Sequence, residues 1–180
     1  MFKRTNIFAL AAAALTVLIT GISCSPAIDP TAKQHDSLAS ERELIRETLS
    51  LYAIYLDDGR VDDFMDLFTE DAEFTAATYV YTGHDSIRNN LADKPRRPGK
   101  HLPFAAVIEF QSPTEARAWS DYLRVKITGD GDPSSWVVTS TGRYHDQLVK
   151  GDDGRWRFQR RDVYMPGREN PGSWTQPSSR

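Results

Sequence analysis

One cysteine, Cys24, in 180 residues leaves nothing for it to pair with inside the chain, so an intramolecular disulfide is excluded. The four histidines, at 35, 84, 101 and 145, show no ligand spacing, and with a lone cysteine they make no metal site. There is no basic excess: 22 Lys and Arg stand against 25 Asp and Glu for a net charge of -3, and a nucleic-acid partner would need a basic stripe. The one basic cluster, Lys94 to Lys100, reads as a solvated loop. No glycine-rich phosphate loop, nucleophile elbow, repeat or low-complexity tract appears.

Long apolar runs are also missing, with one short exception at the N-terminus. Lys3 and Arg4 precede an apolar stretch from Ile7 to Ile22, and small residues lead up to Cys24, the pattern of a secretory signal. The stretch falls short of the roughly 20 residues that a membrane-spanning helix needs. The position of Cys24 resembles the lipidation point of a bacterial lipoprotein, which implies export and a lipid anchor as the only membrane contact. Cleavage by the ordinary signal peptidase stays open, because Gly21 stands where lipoprotein signals carry an aliphatic residue. Residues 1–24 are thus expected to be a signal peptide, 25–37 a flexible tether, 38–165 one folded domain and 166–180 a mobile tail rich in Pro, Gly and Ser.

Within the domain, Ser40 and Glu43 form a capping-box pattern, and Ile45, Leu49, Tyr52 and Leu56 follow at helical spacing. A helix from about Glu41 to Asp57, ended by Gly59, is predicted. A second short helix carries Phe64, Leu67 and Phe68 on one face, Asp71 to Phe74 lead into extended chain, and a third helical turn covers Ser86 to Leu91. From His101 onward the period becomes that of strands: Leu102–Phe110, Ala116–Ile127, Trp136–Val149 and Arg155–Tyr164. Asp152-Asp153-Gly154 signals a hairpin between the last two. Helices first and strands after indicate an α+β fold with an antiparallel sheet. Trp119, Trp136 and Trp156 read as sheet and interface packing.

Tyr52 to Gly59, then Leu67-Phe68-Thr69-Glu70-Asp71-Ala72, then Gly83 with Ile87 and Lys100-His101-Leu102, resemble the SnoaL-like family of the nuclear transport factor 2 superfamily in order and spacing. Gly142 to Asp146, Asp153 to Phe158 and Arg161 look like that family's closing hairpin. The resemblance implies a cone: a strongly curved sheet wrapped around the helices, with a central apolar pocket and pairing of copies as a homodimer or homotrimer. It also implies cofactor-free proton chemistry, as in the scytalone dehydratase and bile-acid dehydratase branch, although fold alone does not fix function.

Residue by residue, the resemblance places His101 as general base, since an imidazole can accept a proton from carbon at neutral pH. Asp57 would orient it, with Asp58 as a rival for that role. Tyr52 lies on the apolar stripe, yet its hydroxyl can serve an oxyanion or a departing hydroxyl. Arg161 fits the branch's final-strand arginine, and alternation sends Arg160 to the opposite face. Tyr55, Phe68, Tyr144 and His145 are the candidate substrate-binding residues. Tyr144 and His145 also point to opposite faces, and the set of Arg143, His145 and Gln147 reads as solvent-facing. The expected activity is a lyase or isomerase, foremost a dehydratase, working without cofactor on a small apolar or aromatic carbonyl compound. A tethered binding protein and a dimeric scaffold are the alternatives.

Overall fold

Helix α1 spans Pro30–Asp58 in the computed structural model, which describes residues 30–94, 99–127 and 135–167. The signal segment with Cys24, the middle of the basic loop and the tail from residue 168 lie outside the described residues. The helix starts earlier than Glu41. Proline at the first helical position is pre-organised for a start because its missing N–H is not needed there. The Ser40/Glu43 pattern therefore lies within the helix. No helix among the described residues is long and apolar enough to cross a membrane.

After α1 come α2 (Val61–Met65), β1 (Phe68–Ala76), β2 (Tyr79–Thr82) and α3 (Gly83–Ile87), which runs into one wide π-helical turn over Arg88–Ala92. The long strands follow as β3 (Gly99–Ser112), β4 (Glu115–Ile127), β5 (Trp136–Lys150) and β6 (Trp156–Tyr164). They form one curved, unclosed six-stranded sheet in the order β2-β1-β6-β5-β4-β3. The cone is thus completed by α1 rather than by closure of the sheet. Three expectations need correction. Phe68 opens β1 instead of sitting on the second helix, β2 was not anticipated, and β1 pairs with β6 in parallel within an otherwise antiparallel sheet. That parallel pair joins strands far apart in sequence, so no local turn signal announces it.

Ile45, Leu49 and Tyr52 of α1 are buried, and Leu56 is partly buried against Phe64, Phe68, Tyr144, Leu148 and Phe158. Polar contacts fix where α1 crosses the sheet. Arg42 donates to the Ile108 carbonyl at 2.5 Å, while Glu41 accepts from Lys150 at 2.6 Å and from the Trp156 indole at 2.7 Å. On β5, a Cβ at Gly142 would meet the Tyr164 carbonyl oxygen and stand 2.9 Å from the Tyr122 ring. Gly142→Ala should therefore cost about 1–3 kcal/mol, since backbone cannot yield as a flexible side chain does. Thermal unfolding checks this, and a variant melting with the wild type would disprove the close approach.

Candidate active site

The site begins where α1 ends. Gly59 takes φ 74, and the Arg60 N–H donates to the Tyr55 carbonyl at 3.0 Å, closing the helix with a left-handed turn that side-chain-bearing residues rarely adopt. Asp57 is left on the last helical turn. No basic residue lies in that turn, so two carboxylates, Asp57 and Asp58, stand at the negative end of the helix dipole. That placement is unfavourable for the helix alone, and β3 supplies the compensation. Lys100 pairs with Asp58 at 3.1 Å in the open, and His101 takes Asp57.

Asp57 holds His101 with both oxygens. Its Oδ2 accepts the His101 backbone N–H at 2.7 Å, and its Oδ1 lies 2.6 Å from ring Nδ1. β3 is an edge strand, and the carboxylate caps a backbone donor there. A carboxylate at Nδ1 makes that nitrogen the donor, which leaves Nε2 as the acceptor in the neutral ring. The pair is largely withdrawn from water, with side chains 18% and 7% exposed. An imidazolium formed here would face both a carboxylate and a helix C-terminus, each of which stabilises positive charge.

Deeper in the cone, Arg161 is fully buried and bound bidentately by Asp146, at 2.7 Å through Nε and 2.8 Å through Nη2. Its guanidinium lies 4.0 Å from the Tyr52 ring centre, 4.2 Å from that of Tyr144 and 4.0 Å from that of Phe158. These rings supply cation–π contacts in a dry setting, where such contacts are strongest. Burial pushes the Tyr52 phenol up to about 12, with Arg161 opposing, so Tyr52 is a neutral donor. Burial likewise raises the Tyr144 phenol and the Asp146 carboxyl. The Nη1 of Arg161 has no hydrogen-bond partner.

The seam between α1 and β3 holds a cavity of about 240 Å³, and Tyr52, Asp57 and His101 are not among the residues that line it. Arg46, Leu49 and Ser50 form its helix wall, residues 103–106 its strand wall, and Ser120 of β4 closes it. A bulge between Phe104 and Val107 opens the strand wall, and within it Ala105 takes φ 55, a strained conformation for a residue with a side chain.

The structure therefore joins His101 to Asp57 and sets Asp58 aside on the surface. It groups Tyr52, Phe68, Tyr144 and Arg161 in the core and turns Arg160 outward, to Glu73 at 2.5 Å and Asp162 at 2.9 Å. Tyr55 is partly buried, with the Arg60 guanidinium 4.3 Å above its ring. His145 corrects the solvent-facing reading: it lies on the outer face of the sheet but is 8% exposed, beside Trp119. Burial lowers its pKa, with Asp162 opposing. Being on the outer face, it does not share the interior with Tyr144. Asp146 and Ser120 were missed as site residues. The alternation placing Asp146 beside Tyr144 carried the signal for the first, and nothing local marked the second. Among the described residues no group of three or more metal-binding side chains occurs.

Residues 37–162 match the SnoaL-like domain family. A candidate scytalone dehydratase from Novosphingobium aromaticivorans is 27% identical, with a TM-score of 0.64 over 79% of this chain and 99% of its own. An NTF2-like protein with a cystatin-like fold, from the same organism, is 18% identical with a TM-score of 0.69 over 78% and 92%. LinA is 18% identical with a TM-score of 0.59 over 79% and 97%. The last two likenesses are likenesses of fold. No curated protein matches the chain significantly.

Proposed function

The chain belongs to the SnoaL-like domain family, and from that premise we propose that it is a cofactor-independent dehydratase acting on a small, largely apolar molecule that carries a carbonyl group. The observation that carries this reading is the double hold of Asp57 on His101, which leaves ring Nε2 free to accept. In this reaction His101 takes a proton from the carbon beside the carbonyl, and the electron pair passes into an enolate. The enolate then expels a hydroxyl from the next carbon, which leaves as water with the proton that the imidazolium returns, so the ring ends neutral again. Asp57 keeps the tautomer and supports the imidazolium. Tyr52, as a neutral phenol, donates to the developing negative charge. Arg161 acts through Tyr52 as a buried cation against its ring, because two of its guanidinium nitrogens are committed to Asp146. The likeness to a candidate scytalone dehydratase supports the choice of water elimination.

A scaffold reading has its own support. Leu102 and Val107 of β3 and Trp136 and Val138 of β5 are exposed, and the strand register puts them on the face turned away from α1. Exposed apolar area of this kind suits a second copy, and it is compatible with a working interior.

The reading is tested by incubating the protein with hydroxylated cyclic ketones in deuterated buffer containing a chelator and no added cofactor. A product lighter by one water is expected, with deuterium entering beside the carbonyl of unreacted substrate. Absence of both across steroid-like, polyketide-like and single-ring compounds would sink the enzymatic reading.

A further inference from the structure

We propose that Ser120 is a substrate anchor: its hydroxyl takes a hydrogen-bonding oxygen of a ring compound lying along the α1–β3 seam, with the reacting carbon at His101. This deepens the dehydratase reading and rests on it. Ser120 is 2% exposed, its Oγ has no hydrogen-bond partner, and it closes the cavity of about 240 Å³ described above. A buried hydroxyl without a partner is costly to keep, and its usual satisfaction comes from a water or a ligand.

The surroundings favour a ligand. The bulge that opens the wall of β3 falls directly opposite Ser120: Phe104 pairs with Asp121 and Val107 with Trp119, leaving Ala105 and Ala106 across from the serine. Both are small, and Ala105 is held at φ 55. Two methyl side chains thus stand opposite the hydroxyl at the point where larger ones would fill the space.

The geometry links this cavity to the chemistry. Arg46, Ser50, Ala53 and Asp57 follow one another at helical spacing, so one stripe of α1 runs from the cavity to the dyad. Ser50 and Asp57 stand ~10 Å apart along that axis. On β3, His101 and Pro103 share the inner face, ~7 Å apart. A single or fused ring fits that span. Its anchoring oxygen must lie across the ring system from the carbon that loses its proton, which excludes purely hydrocarbon rings and favours phenols, enols and hydroxyketones.

The test compares p-cresol with p-xylene, which differ by one hydroxyl in place of a methyl, by NMR titration of the full chain. At least fivefold tighter binding of p-cresol is expected in the wild type. Ser120→Ala should erase or reverse that preference, while His101→Ala should keep it. Because the hydroxyl has no protein partner, Ser120→Ala should also leave the melting temperature unchanged or raise it. Equal binding of the two probes by the wild type, a preference that survives Ser120→Ala, or a lowered melting temperature would each overturn the anchor, reducing Ser120 to a water holder or a structural residue. Binding needs no turnover, so the readings fail separately. A lost preference sinks the anchor alone, and absent turnover with the preference intact sinks the chemistry alone.

Discussion

On the proposed dehydratase reading, His101→Ala should abolish dehydration and Asp57→Asn should lower its rate by about 10²–10⁴-fold, with ligand affinity changed far less in both. The two effects have different causes. Alanine removes the only acceptor at the end of the dyad, so the carbon-bound proton has no destination. Asparagine keeps the size of the side chain but loses the negative charge that would support the imidazolium. It can also present an N–H to ring Nδ1, which would force the proton onto Nε2 and turn the base into a donor. Asp57 further holds the His101 backbone N–H at 2.7 Å, so an asparagine turned with its oxygen toward that N–H would face the ring with its amide nitrogen. Asp58→Asn is the internal control. Asp58 pairs with Lys100 in the open, and its loss should change the rate by no more than a few-fold. Rates are read as formation of the dehydrated product under saturating substrate. Wild-type turnover by either dyad variant, or an Asp58 variant as impaired as the Asp57 one, would remove His101 and Asp57 from the chemistry.

The second large effect concerns stability. Arg161 and Asp146 are both fully withdrawn from water, so removing either charge leaves the other uncompensated inside the aromatic cluster. Arg161→Met or Asp146→Leu alone should cost about 3–5 kcal/mol, whereas the two substitutions together should restore much of the loss, because a buried ion pair replaced by apolar groups of similar volume is often neutral. For a domain of this size that cost corresponds to a fall of roughly 10–20 °C in melting temperature for either single variant. The double variant separates stability from function. It should fold yet leave Tyr52 without the cation that lies 4.0 Å from its ring, and so dehydrate more slowly than the wild type. A double variant no more stable than the singles would show that the pair itself, beyond its mutual compensation, holds the cluster. Single variants melting with the wild type would show that water reaches the pair.

Several features of the site were legible because their signals are local. The stripe of Ile45, Leu49, Tyr52 and Leu56 and the stop at Gly59 put Asp57 on the last helical turn without help from any tertiary contact. Strand alternation put Arg160 and Arg161 on opposite faces, and likewise Tyr144 and His145, while packing decided that Arg161 is the inward one. The Asp152-Asp153-Gly154 turn joined β5 to β6 as expected, with the Gly154 N–H donating to the Gly151 carbonyl at 2.9 Å. The misreadings arise where alternation reports a face but not what covers it. His145 points away from the interior, yet it is buried beside Trp119, which the strand register sets directly across from it. Phe68 fits helical spacing with Phe64, and the chain nevertheless turns into β1 there, because Phe68 pairs with Phe158 of a strand far away in sequence.

The class of fold, the order of most elements and the opposite faces of Arg160 and Arg161 follow from spacing within single helices, strands and turns, whereas the residues expected to move a proton came from the resemblance to the SnoaL-like family. Packing alone makes Asp57 rather than Asp58 hold His101, Asp146 neutralise Arg161, β1 lie parallel to β6 and Ser120 line a cavity. These are meetings between segments distant in the chain, set by how α1 crosses a curved sheet and where β3 bulges, and no local periodicity encodes the distance between two elements once they pack.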